Sequence, residues 1–143
     1  MNENASKKNQ RIIHKILEDE VKGRIQAALD KMHTDYKMTW MYKRDSDGLL
    51  FPSEKVSRPE KLEDVYHIKS REYHINQILA DETTVMAEIT ESYPDSETGK
   101  VYRTPMMMVW EFKDGKIFRG RHYCDPRLSY MDLTAKQINN ALE

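Results

Sequence analysis

Residues 101–126 read Val101-Tyr102-Arg103-Thr104-Pro105-Met106-Met107-Met108-Val109-Trp110-Glu111-Phe112-Lys113-Asp114-Gly115-Lys116-Ile117-Phe118-Arg119-Gly120-Arg121-His122-Tyr123-Cys124-Asp125-Pro126. Val101 to Phe112 is rich in β-branched, aromatic and Met side chains, the composition of a pleated, half-buried strand. Asp114-Gly115 then supplies the φ > 0 geometry that a two-residue hairpin needs. Ile117 to Cys124 returns as a second extended run. Asp125-Pro126 ends it, because proline has no N–H to give to a ladder. The stretch predicts a long antiparallel hairpin.

Working outward, the segment before the hairpin gives the other strands. Thr83 to Tyr93 alternates cleanly and reads as a strand, joined to the hairpin by the polar loop Pro94 to Lys100 with Gly99 in its turn. His67 to Ala80 reads as extended, and Tyr36 to Tyr42 as a first strand. Ser57, Pro59 and Glu60 have the spacing of a capping box opening a short helix that runs to about Tyr66 and buries Leu62 and Val65. Asp132 is placed to cap a last helix, Leu133 to Leu142. At the other end, Ile12, Ile13, Ile16, Leu17, Val21, Ile25, Ala28, Leu29 and Met32 recur in steps of three and four. They predict one long amphipathic helix from about Lys8 to His33, weakened at Gly23. Residues 1–8 read as a frayed, polar start.

A long helix followed by a meander of strands is an α+β pattern. A sheet of this length twists and curls. The expectation is a single domain, 1–143, in which a curved antiparallel sheet wraps around the N-terminal helix and leaves a cone with an apolar mouth. Composition bounds what that domain does. With 143 residues, 33% charged residues and a net charge of −1, and a mean hydropathy of −0.83, neither nucleic acid nor a membrane is an expected partner. The single cysteine, Cys124, forms no internal disulfide. The first residues lack the apolar run of a secretory signal, so a reducing, cytoplasmic setting is expected. Nine Met residues suit a plastic, greasy interior.

The run from Val109 to Pro126 resembles the closing hairpin of the SnoaL-like branch of the nuclear transport factor 2-like superfamily: an apolar strand, Asp-Gly-Lys-Ile, a basic strand, then aromatic-x-Asp-Pro. The resemblance implies a cystatin-like, cone-shaped α+β barrel. It also implies a homodimer paired through the sheet and no organic cofactor.

Strand alternation, set in phase by that resemblance, selects the lining of the cone. The resemblance puts His122 on the inner face, at a position that holds an acid–base carboxylate in epoxide-hydrolase and phenazine-biosynthesis members. By period two, Phe118 and Cys124 share its face. The resemblance likewise puts Glu88 inward, with Met86 and Thr90 beside it. Met106, Met108 and Trp110 line the neighbouring strand, Trp40 and Tyr42 the first, and His74 is a further candidate. Glu88 and His122 would form an acid–base pair, since a neutral imidazole takes and returns protons near neutral pH. Tyr42 would donate a hydrogen bond to the ligand. The opposing reading is a satisfied buried couple in a binding pocket.

The expected ligand is a small apolar or aromatic molecule, and no metal is expected. Steroid-isomerase members use a carboxylate on the first strand, which Lys37 to Lys43 lacks. Epoxide-hydrolase members use an Asp-Arg-Asp set. The corresponding positions here read Glu88, Met86 and His122, with no arginine.

Overall fold

The computed structural model describes residues 3–143. Helix α1 runs Ala5–Lys22, starting within the 1–8 stretch expected to be frayed, and Asn4 caps it by accepting from the Lys7 N–H at 2.9 Å. Residues 1 and 2 lie outside the described residues. The expected helix to His33 is cut at Gly23, whose φ of +69° is open to glycine at little cost. The Gly23 and Arg24 N–H groups fold back onto Glu20 O and Asp19 O. Buried Asp19 then accepts from Arg24 Nε at 2.9 Å and Lys31 Nζ at 2.7 Å, and so fixes the corner. A short helix α2, Ile25–Leu29, leads into β1, Met32–Trp40, so Met32 belongs to the sheet.

The other elements are β2 (Ser53–Lys55), α3 (Pro59–Tyr66), β3 (Glu72–Ala80), β4 (Thr84–Pro94), β5 (Val101–Lys113), β6 (Lys116–Tyr123), a 3-10 turn (Pro126–Tyr130) and α4 (Ala135–Leu142). Ser57 does not cap α3, because its hydroxyl donates to Thr34 O at 2.8 Å. Arg58 takes the cap position without a side-chain bond. Tyr66, not Val65, is buried beside Leu62. Thr134, not Asp132, caps α4, in a capping box with Gln137.

One six-stranded sheet runs β2-β1-β6-β5-β4-β3. Every pair is antiparallel except β1 with β6, which is parallel. The sheet curves without closing, so β2 and β3 remain its two edges. At the β5–β6 turn Asp114 and Gly115 both have positive φ, as a type I′ hairpin requires. The concave face carries Val85, Ala87, Ile89, Met106, Trp110 and Ile117 against Ile13, Ile16 and Leu17 of α1. Fully burying an aliphatic side chain of this kind stabilises by about 1.5–3 kcal/mol. That gain ties the rod to the sheet.

Candidate functional site

The concave face and the helices over it enclose a cavity of about 460 Å³, within the range usual for small-molecule sites. Trp40, Tyr42, Met106, Met108, Trp110 and His122 line it. Register explains why they meet. Trp40 pairs with His122 across β1–β6, His122 with Met108 across β6–β5, and Gly120 with both Met38 and Trp110. Gly120 is required there. A Cβ at this position would sit 2.7 Å from Met38 Cε and 2.8 Å from the Tyr36 hydroxyl.

Six of the expected lining residues, Met86, Glu88, Thr90, His74, Phe118 and Cys124, do not line this cavity. On β4 the inner phase is Val85, Ala87 and Ile89, all at most 1% exposed. Met86, Glu88 and Thr90 therefore point to the convex side. Met86 is exposed, and Glu88 accepts from Asn76 of β3, so it is not brought together with His122. Thr90 pairs with His74, and both border a second hollow of about 660 Å³ beside α1 and α4. Phe118 is displaced by a bulge: Ile117 pairs with Phe112 and Arg119 with Glu111, leaving Phe118 as the extra residue. Its ring lies against His33 and under the Arg119 guanidinium, 3.8 Å from the ring centre. Cys124 is half-buried against the core, and burial pushes its thiol up to about 11. That keeps it protonated and a poor nucleophile.

A polar cluster that the sequence reading did not single out lies on the cavity wall: Glu20 of α1, Arg71 just before β3, Tyr73 of β3 and Glu91 of β4. The Tyr73 hydroxyl is 2.6 Å from Glu20 Oε1 and 2.9 Å from Glu91 Oε2. Arg71 Nη1 donates to Glu20 and to Val65 O. Arg71 Nε lies 3.4 Å from Glu91 Oε2 but outside hydrogen-bond geometry, and is buried without a partner. The Tyr93 ring flanks the guanidinium at 5.7 Å. Burial raises the Glu20 carboxyl above its ordinary range, against the opposing pull of Arg71 and Tyr73. Burial and the two carboxylates hold Tyr73 well above the usual phenol value.

Two of the four were visible as breaks in pattern. Glu20 continues the Ile13, Ile16, Leu17 stripe at helical spacing, and Glu91 follows Val85, Ala87 and Ile89 in strand phase. Arg71, in a connecting segment, had no such signal. The cluster places an arginine between two carboxylates, and of its members only Glu91 shares a strand with positions the resemblance indicates.

His122 is the second polar point. Its Nε2 is buried without a partner, and burial lowers its pKa to about 4. At neutral pH it is an uncharged imidazole with an unused hydrogen-bonding nitrogen. Among the described residues no three His, Cys, Asp or Glu side chains are grouped so as to hold a metal ion. Among them, too, no helix is long and apolar enough to cross a membrane.

No protein-family model matches the sequence, and no curated protein matches it. Solved structures do. An LEH-like epoxide hydrolase from M. tuberculosis is 16% identical, with a TM-score of 0.69 over 96% of this chain and 97% of that one. A candidate SnoaL-like polyketide cyclase from Jannaschia sp. CCS1 is 9% identical, with a TM-score of 0.70 over 94% and 97%. A nuclear transport factor 2-like protein from Cytophaga hutchinsonii is 13% identical, with a TM-score of 0.62 over 82% and 90%. The chain has the nuclear transport factor 2-like cone fold. SnoaL-like proteins stand among its structural neighbours, in keeping with the resemblance of the closing hairpin. At these identities the nuclear transport factor 2-like fold is what the likeness establishes, and the fold hosts many reactions.

Proposed function

We propose that this protein binds a small, largely apolar molecule in its cone and performs acid–base chemistry on it without an organic cofactor, as an isomerase, cyclase, dehydratase or hydrolase does. The observation that carries the reading is the Glu20–Arg71–Tyr73–Glu91 cluster on the wall of a Met- and aromatic-lined cavity. Carboxyl groups in such a wall have a reason to be there, because burying them is costly. Burial raises the Glu20 carboxyl, and a raised carboxyl is what lets a site supply an acid at neutral pH. His122 contributes a neutral hydrogen-bonding nitrogen and Tyr42 a hydroxyl on the lining. The epoxide hydrolase and the candidate polyketide cyclase among the structural neighbours agree with this class of chemistry.

The test begins with ligand extracted from the purified protein and identified by mass spectrometry, then incubated with fresh protein. Conversion that drops at least a hundredfold in Glu91→Gln supports the proposal. Equal conversion by wild type and by Glu91→Gln, Tyr73→Phe and His122→Ala together sinks it. A second reading, a non-catalytic binding module, is favoured by the absence of an acid beside His122, whose pKa of about 4 makes it a weak base. Ligand recovered unchanged would select that reading.

A homodimer through the sheet is part of the proposal. The convex face exposes Leu79, Met86, Met107 and Tyr123, and Arg121 pairs with Glu111 alongside them. Light scattering at a monomer mass would refute it. A cytoplasmic setting is proposed on the lone, free Cys124, and fractionation of tagged cells would check it.

A further inference from the structure

One hydroxyl in the cluster faces two carboxylates. Tyr73 Oη is within hydrogen-bond distance of Glu20 Oε1 and Glu91 Oε2, yet a phenol carries one proton to donate. The second contact needs a proton of its own. Charge gives the same count, since one guanidinium, Arg71, serves two carboxyl groups on side chains only 15% and 18% exposed. With both ionised the cluster would keep an uncompensated negative charge in a water-poor wall, which is costly. We propose that Glu20 and Glu91 hold a single proton between them across Tyr73, with Glu20 the resident acid and Glu91 the resident base of the cone.

Glu20 is the better holder. Its carboxyl is enclosed by Tyr36 of β1, Tyr66 of α3, Arg71, Tyr73 of β3 and Glu91 of β4. Burial outweighs the pull of the Arg71 charge and the Tyr73 hydroxyl upon it. The unpartnered Arg71 Nε–H, on a side chain that is 6% exposed, marks where a ligand enters: it asks for a hydrogen-bond acceptor, such as a carbonyl oxygen. A ligand seated on it would lie beside both carboxyl groups.

The role in turnover rests on the acid–base reading above, and its protons balance. Glu91 takes a proton from a C–H bond of the ligand, and the bonding electrons stay on the ligand. Glu20 delivers its proton to another ligand atom, which forms the new bond. The ligand leaves as an isomer. The cluster resets when the proton on Glu91 passes to Tyr73 Oη while the Tyr73 hydroxyl proton passes to Glu20 Oε1. No oxidant, metal or second substrate is required.

Infrared spectroscopy on protein labelled with ¹³C-glutamate tests the shared proton without any substrate. At pH 7 one protonated glutamate band is expected. It is lost in Glu20→Gln and kept in Glu88→Gln. Absence of that band, or its persistence in Glu20→Gln, overturns the proposal. Denaturant unfolding supplies a second readout. A carboxyl whose folded pKa is raised binds more protons folded than unfolded, so stability falls as pH rises from the unfolded value towards the folded one. Glu20→Gln removes that fall, gaining on wild type by up to about tenfold in the folding constant per pH unit in that window. A variant that loses stability in parallel with wild type is the contrary result. If Glu20→Gln does not fold, Tyr73→Phe takes its place: the band must move towards that of an isolated carboxyl, and an unmoved band is the refutation. A band present at pH 7 with full turnover in Glu20→Gln would retain the shared proton and discard the catalytic role. No band, with ligand still converted, would discard both the shared proton and Glu20 as the acid, and would leave only the acid–base reading of the cone standing.

Discussion

Glu88 and Glu91 stand three residues apart on β4, and an odd step along a strand puts them on opposite faces. Glu88 lies on the convex side with the amide of Asn76, in a region where Met86 and Leu79 are also exposed. Glu91 lies on the concave side against Arg71 and Tyr73, level with Thr104 of β5. Both side chains are half-buried, yet one meets only an amide on the convex side and the other joins an arginine and a tyrosine on the cavity wall. Phase, more than identity, decides what a carboxylate on a strand can do.

The largest effect should come from the partner that only Glu91 and Glu20 have. Arg71→Ala leaves two carboxyl groups in the wall without their cation and should cost about 3–5 kcal/mol in denaturant unfolding. A loss under 1 kcal/mol would mean that the cluster is far wetter than its burial implies. Next, the concave side should impose an acid sensitivity through His122. Its folded pKa of about 4 lies below an unfolded value near 6.5. The stability it contributes is therefore complete above pH 6.5 and lost as pH falls towards 4. Wild type should lose about 3 kcal/mol more than His122→Asn across that interval. Parallel curves for the two would remove the imidazole from the interior.

Gly120→Ala sharpens the same contrast by geometry. The added methyl meets the flexible end of Met38, but also the Tyr36 hydroxyl on a rigid ring. About 1–3 kcal/mol of overpacking should appear as a lower denaturation midpoint. The smallest effect belongs to the convex face. Glu88→Gln should change stability by no more than about 0.5 kcal/mol and leave ligand uptake alone. A larger change would make the two faces less different than their hydrogen-bond partners say.

Much of the architecture was legible in the sequence. The closing hairpin, the alternating strand before it and the apolar helix stripe are local signals, and each formed close to where it was read. The helix ends earlier than its apolar stripe predicts, because a lone glycine only weakens a helix, while the buried Asp19 staple that turns Gly23 into a stop is a long-range arrangement. The lining was legible on β5, where no bulge falls within Met106 to Trp110, and on β6 at His122. Phe118 failed because one extra residue shifts the phase beyond it. On β4 the error was of another kind: alignment by resemblance overrode the strand's own apolar rhythm of Val85, Ala87 and Ile89, which points Glu91 inward and Glu88 out. Arg71 could not be read at all, because only the assembled fold brings it to Glu20 and Glu91.

The two unjoined borders of the sheet, β2 and β3, bear on what the cone can admit. A closed barrel has its girth set by strand number and stagger. Among the described residues no backbone ladder completes the ring, and side chains of α1 and α3 form part of the cavity wall. The bore is thus set by replaceable parts. Repacking Ile16, Leu17 or Leu62 should retune the size of guest it accepts while every strand pairing stays as it is.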